Sequence, residues 1–324
     1  MKILVTGATG FVGSALVRSS PPNTEIYGVV RSSDHNLPEG VTPVLVNSLL
    51  DLTARADVLS EMDCIVHLAA RVHVMHDTVS DPLAAFRAVN TEATKELAIA
   101  AARSGVRRFV YLSSIKVNGE GQPDDALASA TPYSELSKPT PHDPYGISKW
   151  EAECLLHQVA IETGLEVAIL RPPLVYGAGV KANFRQLMKL VKLGVPLPFG
   201  RVKNARSLVY VGNLVDAIFT CALHPAAVGQ TFLVSDGVEV STPDLIQHLA
   251  TALGCPARLL PVPPEVLKLL GQMTGKSAAI DRLLGSLAID SRKLGQTLNW
   301  QPPFSLQQGL KVTADEYLQS VSHL

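Results

Sequence analysis

Short apolar runs alternate with helical patterns through the first half of the chain. Residues 3–5, 26–30, 44–46, 64–69, 109–112 and 167–170 predict strands buried on both faces. Strands of that kind separated by helices predict a parallel sheet with right-handed crossovers. Between two of them, Asp81-Pro82 opens a segment rich in Ala, Leu and Glu that closes at Gly105. An N-capping carboxylate, a proline at the first helical position and a terminal glycine define a helix there. Asp143-Pro144 and Gly164 bracket a second helix by the same signature.

Runs at 208–211 and 231–234 also predict strands, so the second half returns to the sheet. Only 5 of the 22 prolines precede residue 123, and the later chain is correspondingly richer in loops. Residues 1–172, with a return near 205–235, are therefore expected to form an α/β domain around a doubly wound parallel sheet. Segments 173–204 and 236–324 are expected to form a smaller α/β unit over its carboxyl edge.

The 324 residues are 47% hydrophobic and 18% charged, which suits a sizeable core and excludes a disordered chain. Lys and Arg total 28 against 29 for Asp and Glu, so bulk charge draws neither nucleic acid nor an anionic membrane. Any bound anion must be held locally. Cys64, Cys154, Cys221 and Cys255 are scattered, form no CxxC pair and suit a reducing cytoplasm. No stretch reaches the ~18 uninterrupted apolar residues of a membrane span. Glycines interrupt the N-terminal apolar stretch before it can serve as a secretory signal.

Those glycines carry the first chemistry. Thr6-Gly7-Ala8-Thr9-Gly10-Phe11-Val12-Gly13 joins the first strand to the first helix. Gly7, Gly10 and Gly13 allow a tight turn, close approach of a pyrophosphate and close helix packing, while the helix N-terminus offers N–H groups to the anion. A Rossmann-type dinucleotide domain follows. Tyr145 and Lys149 lie one turn apart on one helix face, which brings an ammonium towards a phenol. Ser113-Ser114 ends the strand at 109–112. His73 and His76 share a spacing that fits a metal, but no third ligand accompanies them, so none is expected.

Glycines spaced three and three apart, the YxxxK run Tyr145-Gly146-Ile147-Ser148-Lys149 and Ser114 together resemble the extended short-chain dehydrogenase/reductases. His67-Leu68-Ala69-Ala70, Arg171-Pro172-Pro173-Leu174-Val175-Tyr176-Gly177 and Arg206-Ser207-Leu208-Val209-Tyr210-Val211 are similar to segments of the NAD-dependent epimerase/dehydratase family, whose members act on nucleotide sugars. The run Ala69-Ala70-Arg71-Val72-His73-Val74-Met75 resembles the bacterial O-antigen UDP-N-acetylhexosamine C4 reductases and epimerases.

The resemblance implies roles for individual residues. Ser114, Tyr145 and Lys149 are the catalytic group, with Tyr145 as proton donor, Ser114 on the reacting oxygen and Lys149 lowering the tyrosine pKa while holding the nicotinamide ribose. Cofactor contacts fall to Gly7, Thr9, Gly10, Phe11, Val12, Gly13, Arg31, Ser48, Leu49, Leu68, Ala69, Ala70, Arg71, Asn90, Ser113, Tyr145, Lys149 and Pro172. Ser114 and Arg206 fall to the substrate; because the diphosphate needs local cations, Arg206 and then Arg282 are expected on it, and Asn183-Phe184 reads as flanking its base, with Phe184 reading equally as core. A homodimer through the two long helices is also implied.

Departures sharpen the expectation. Ser48 stands where many relatives place an Asp near the adenine, and Leu174 where UDP-galactose 4-epimerase has a substrate-binding Asn. Ile115 and Lys116 replace the Asp-Glu pair of the dehydratases, so water elimination is disfavoured. Lys116 reads as a solvated lysine at the cleft edge or a substrate contact. Arg31 follows the second strand where an NAD-selective enzyme carries a carboxylate, which favours NADP(H) over NAD(H). Dissociable NADPH suits net reduction. The expectation is thus a UDP-4-keto-6-deoxy-N-acetylhexosamine C4 reductase in the cytoplasm, with a UDP-sugar 4-epimerase or a non-catalytic dinucleotide-binding regulator as alternatives.

Overall fold

Side chains alternate across parallel strands, so each strand of the main sheet feeds two apolar layers. The computed structural model describes residues 1–33, 36–72, 81–119, 121, 131–273, 275 and 277–322. Its strands are β1 (Lys2–Thr6), β2 (Glu25–Val30), β3 (Val41–Leu45), β4 (Cys64–His67), β5 (Arg108–Leu112), β6 (Glu166–Arg171), β7 (Leu174–Tyr176), β8 (Arg206–Tyr210), β9 (Thr231–Leu233) and β10 (Glu239–Val240). The first half adds helices α1 (Phe11–Val17), α2 (Leu49–Thr53), α3 (Ala56–Leu59), α4 (Pro82–Arg87), α5 (Ala93–Arg103) and α6 (Pro144–Thr163). The second adds α7 (Ala182–Lys192), α8 (Val211–Leu223), α9 (Thr242–Ala252), α10 (Pro264–Met273), α11 (Ser277–Leu284), α12 (Arg292–Leu298) and α13 (Leu306–Ser322).

The seven-stranded sheet runs β3-β2-β1-β4-β5-β6-β9, every pair parallel. On one face Ile3, Val5, Val66, Val110 and Leu170 pack with α1 and α8; on the other Leu4, Ile65, Phe109 and Ile169 pack with α5 and α6. This is the doubly wound Rossmann-type sheet expected, and order reverses between β1 and β4, where such folds open a crevice at the carboxyl edge. Both bracketed helices form. Asp81 caps α4 by accepting from Ala84 N at 3.0 Å, and Asp143 caps α6, which closes on Gly164 in the left-handed region.

Two strand expectations need correction. The run at 44–46 was expected to be buried on both faces, but β3 begins at Val41 and buries only Val44, because it is the edge strand with a single neighbour. Pro43 is tolerated there since an edge leaves one side of the ladder unpaired. The run at 208–211 does not rejoin the main sheet. As β8 it pairs with β7 and β10 in a separate three-stranded sheet, and the place beside β6 is taken by β9. The return to the main sheet is therefore made by β9, with α8 packed on one face of that sheet.

A buried carboxylate fastens the later chain. Asp236 Oδ1 accepts from Tyr210 N and Asn213 Nδ2, both at 2.8 Å, and Oδ2 accepts from Tyr176 Oη at 2.7 Å. Asn213 in turn donates to Phe304 O at 2.8 Å and accepts from Phe304 N at 2.9 Å. The C-terminal helix then crosses this cluster at Gly309, where a Cβ would lie 2.6 Å from Tyr176 Oη and 2.8 Å from Tyr210 Cγ. Gly309→Ala is expected to lose about 1–3 kcal/mol in urea unfolding, the scale of an overpacked contact. A variant as stable as the parent would mean that α13 can shift off the two tyrosines.

Candidate functional site

The carboxyl ends of β1, β2, β4, β5 and β6 carry the glycine turn, Arg31, residues 68–71, Ser113, Ser114 and Pro172. After β1, Gly7 adopts φ +71° and lies so close to the loop after β4 that a Cβ would be 2.8 Å from Ala69 N. A Cβ on Gly13 would sit 2.0 Å from Gly7 O, so α1 enters against the turn with no room for a side chain. Thr6 Oγ1 accepts from Ala69 N at 3.2 Å and joins the two loops. Thr9 and Gly10 are exposed, Phe11 and Val12 half-buried, and the first turn of a helix leaves N–H groups without intrahelical acceptors. This open cradle of backbone donors fits the pyrophosphate of a dinucleotide.

Leu68, Ala69 and Ala70 continue from β4 along the cradle, half-buried. His67 behind them is fully buried between Thr6 Oγ1 (2.7 Å) and Thr94 Oγ1 (2.9 Å). Burial holds its pKa down at about 3, so it is a neutral strand-end histidine. Asn90 lies in a π-helical turn, Ala88–Glu92, between α4 and α5. Its amide accepts from Arg71 N at 2.8 Å and donates to Arg71 O and Ser148 Oγ, both at 3.0 Å. Asn90 thus pins the cofactor-side loop to α6 through protein contacts.

Ser114 ends β5 in extended backbone, and its Oγ accepts from Lys116 N at 3.3 Å. Tyr145 stands in the first turn of α6, half-buried, with Phe86 edge-on at 6.1 Å. Lys149 follows one turn later, buried; its Nζ donates to Leu112 O at 2.8 Å and lies 5.9 Å from the Tyr145 ring centre and 4.5 Å from that of Tyr111. The three expected catalytic side chains therefore converge. The expected lowering of the tyrosine pKa by Lys149 is not what the geometry produces. Burial pushes the phenol up to about 12, the Asp143 carboxylate adds to that, and a hydrogen bond with Ser114 works against it. Burial draws Lys149 down to about 7, with Glu153 opposing, so at neutral pH its charge is only half present.

Beneath the serines lies a cluster that sequence reading missed. Ser113 Oγ donates to Glu153 Oε1, and Glu153 is fully buried. Arg171 reaches the same carboxylate through Nε at 3.0 Å and Nη2 at 2.5 Å, and donates from Nη1 to Asn118 Oδ1 at 3.0 Å. Spacing held the clue: Tyr145, Lys149 and Glu153 recur every fourth residue on one face of α6. Lys116 departs from both expected readings, since it pairs with Asp143 Oδ2 while Asp143 Oδ1 accepts from Gly146 N at 2.6 Å.

Other expected contacts are placed as follows. Ser48 caps α2 in a reciprocal box with Asp51, and Leu49 opens that helix. Arg31 is exposed past β2, and Pro172 O accepts from Ile115 N at 2.9 Å beside the serines. Asn183 is exposed on α7, while Phe184 is core, stacked on Tyr176 at 5.6 Å. Arg206 Nη1 donates to Arg282 O at 2.6 Å and Gly285 O at 2.8 Å, so the two arginines adjoin. Arg282 sits on helix α11. His73, Val74, Met75 and His76 lie outside the described residues, and among the described residues no His, Cys, Asp and Glu group could hold a metal. No helix of the described residues is long and apolar enough to cross a membrane.

The profile of the NAD dependent epimerase/dehydratase family matches residues 3–235. A UDP-glucose 4-epimerase from Vibrio cholerae is 46% identical over 98% of this chain and 96% of its own length. Among solved structures, a UDP-glucose 4-epimerase from Thermotoga maritima with UDP-glucose superposes with a TM-score of 0.77 at 24% identity, covering 99% of this chain and 100% of that one. A UDP-glucuronic acid 4-epimerase from Bacillus cereus in complex with NAD gives 0.77 at 22% identity, covering 99% of each.

The buried lysine makes stability depend on pH. Between about 7 and its ordinary 10.5, the unfolded chain keeps a proton that folded Lys149 has lost, so stability rises with pH. His67 contributes the same sign only below its ordinary 6.5, and the buried thiols of Cys64 and Cys221, pushed up to about 12, reverse the slope only above their ordinary 9.0. From about pH 7 to about pH 8.5 the parent is expected to gain about 1–2 kcal/mol on Lys149→Met in urea unfolding. Parallel profiles for the two proteins would remove Lys149 as the titrating group.

Proposed function

The chain belongs to the NAD dependent epimerase/dehydratase family, and from that premise we propose that it inverts C4 of a UDP-linked sugar with NAD as its cofactor. The observation that carries the reading is the convergence of Ser114, Tyr145 and Lys149 beside a glycine cradle in a chain 46% identical to a UDP-glucose 4-epimerase. Net reduction, favoured from sequence, rested on Arg31 choosing NADP(H). Arg31 is exposed past the end of β2, where a guanidinium can stack on an adenine as readily as pair with a phosphate. The relatives instead support epimerisation on NAD.

NAD, when bound, supplies a reversible hydride acceptor at the sugar carbon. The Tyr145 phenolate, once formed, would accept the C4 hydroxyl proton and later return it, and Ser114 Oγ would hold the same oxygen by hydrogen bonding. Lys149, one turn on, holds its ammonium 5.9 Å from the Tyr145 ring centre and would be the residue to hold the nicotinamide ribose. Glu153 and Arg171 keep Ser113 and its neighbour in place from below. Ile115 after the serine provides no acid or base for water elimination. At the start of β7, Leu174 is 47% exposed and apolar, so it offers no hydrogen bond that would hold the sugar in one orientation between the two half-reactions.

Incubation with UDP-glucose, UDP-galactose and their N-acetyl counterparts, without added cofactor, is expected to interconvert a pair of C4 epimers. Tyr145→Phe should retain NAD while losing roughly a hundredfold or more in rate. Stoichiometric NADPH oxidation with a UDP-4-keto-6-deoxy sugar, and no epimer, would restore the reductase reading. Arg282→Met is expected to weaken UDP binding in calorimetry by about 1.5–3 kcal/mol, the range for hydrogen bonds to charged groups, without changing NAD affinity. A drop in NAD affinity instead would place Arg282 on the cofactor side.

A further inference from the structure

Lys116 touches the supports of both catalytic hydroxyls. Its backbone N–H donates to Ser114 Oγ at 3.3 Å, and its ammonium pairs with Asp143, the residue that caps the helix bearing Tyr145. Contact between the two segments is close enough that a Cβ on Gly146 would lie 2.8 Å from Lys116 O. Both charged side chains are partly buried, about 30% and 25% exposed. One oxygen of Asp143 is occupied by Gly146 N at 2.6 Å, and the other faces the lysine.

The groups around the phenol come from four elements. At the start of and along α6 these are Asp143, paired with Lys116, and Lys149; on the turn after β5, Ser114; on β5, Tyr111 beneath Lys149; on α4, Phe86, whose ring also carries the Arg71 guanidinium at 5.5 Å. Asp143 is the carboxylate that acts on the phenol, and it opposes ionisation. A cap alone does not require that charge, because Asn caps helices as well as Asp. A cation paired with that carboxylate offsets its field at the phenol.

We infer that Lys116 is a positioning residue whose ion pair with Asp143 locks the serine-bearing turn against the tyrosine-bearing helix and screens Tyr145 from the capping carboxylate. This rests on the acid/base role proposed for Tyr145 but not on which sugar is turned over.

The test follows the Tyr145 phenol by NMR of ¹³Cζ-labelled tyrosine in the NAD-loaded chain, with Tyr145→Phe identifying the signal. Lys116→Met is expected to move the phenol titration up by about one pH unit, and Lys116→Arg to leave it in place. Lys116→Met/Asp143→Asn should return it close to the parent, because the cap survives and the charge is gone. Asp143→Asn alone should shift it down, and this arm still decides the matter if Lys116→Met does not fold. A phenol that stays put in Lys116→Met and in Asp143→Asn overturns the inference, as does a double variant displaced as far as Lys116→Met. Epimerisation of a UDP-sugar by the parent is measured separately: its absence with the phenol shifts intact would sink only the proposed reaction, and its presence with an unmoved phenol only the inference.

Discussion

A guanidinium and a carboxylate buried beneath the serine pair hold the site together. Arg171 closes β6, Glu153 lies in the middle of α6, and Ser113 ends β5, so one ion pair joins two strands and the helix that carries the tyrosine and lysine. Both partners are almost wholly removed from water, where an unpaired charge costs several kcal/mol. Neither can therefore leave without the other. That mutual dependence fixes the height of α6 against the sheet, and with it the separation of phenol and ammonium from Ser114.

Charge in this molecule acts locally, because 28 Lys and Arg nearly balance 29 Asp and Glu over the whole chain. The interior next to the cradle is kept close to neutral: His67 is uncharged, Lys149 sits near its titration point and Glu153 is answered by Arg171. A reacting oxygen placed there meets a medium of low polarisability with a few fixed donors, the setting in which a single hydrogen bond from a serine counts for more than it does in water.

Most of the first domain was legible in the sequence because each buried strand has its own apolar run and each long helix its own Asp-Pro start and glycine stop. The approach of Lys149 to Tyr145 was legible too, since YxxxK is a local spacing on a single helix. Illegible features were those decided by distant partners. Whether the run at 44–46 is central or at an edge depends on which strand lies beyond it, and whether β8 joins one sheet or another depends on β9 competing for the side of β6. Glu153 and Arg171 look like surface charges until Ser113, 40 residues upstream of Glu153, is brought beside them. Lys116 looked solvated for the same reason, with its partner 27 residues away.

The π-helical turn at Ala88–Glu92 sets the phase of the helix on either side of it. An extra residue in a helix rotates everything beyond it by about 100°, so α4 and α5 present differently phased faces although they form one continuous rod. α4 offers Phe86 to Tyr145, α5 offers Leu97 and Ala101 to the sheet, and Asn90 at the offset turns inward to grip Arg71. Because the grip is on the backbone of residue 71, it is indifferent to the side chain there and to whatever follows. Substitution at residue 71 can thus exchange the side chain that lies against Phe86 while the backbone of the dinucleotide edge keeps its shape.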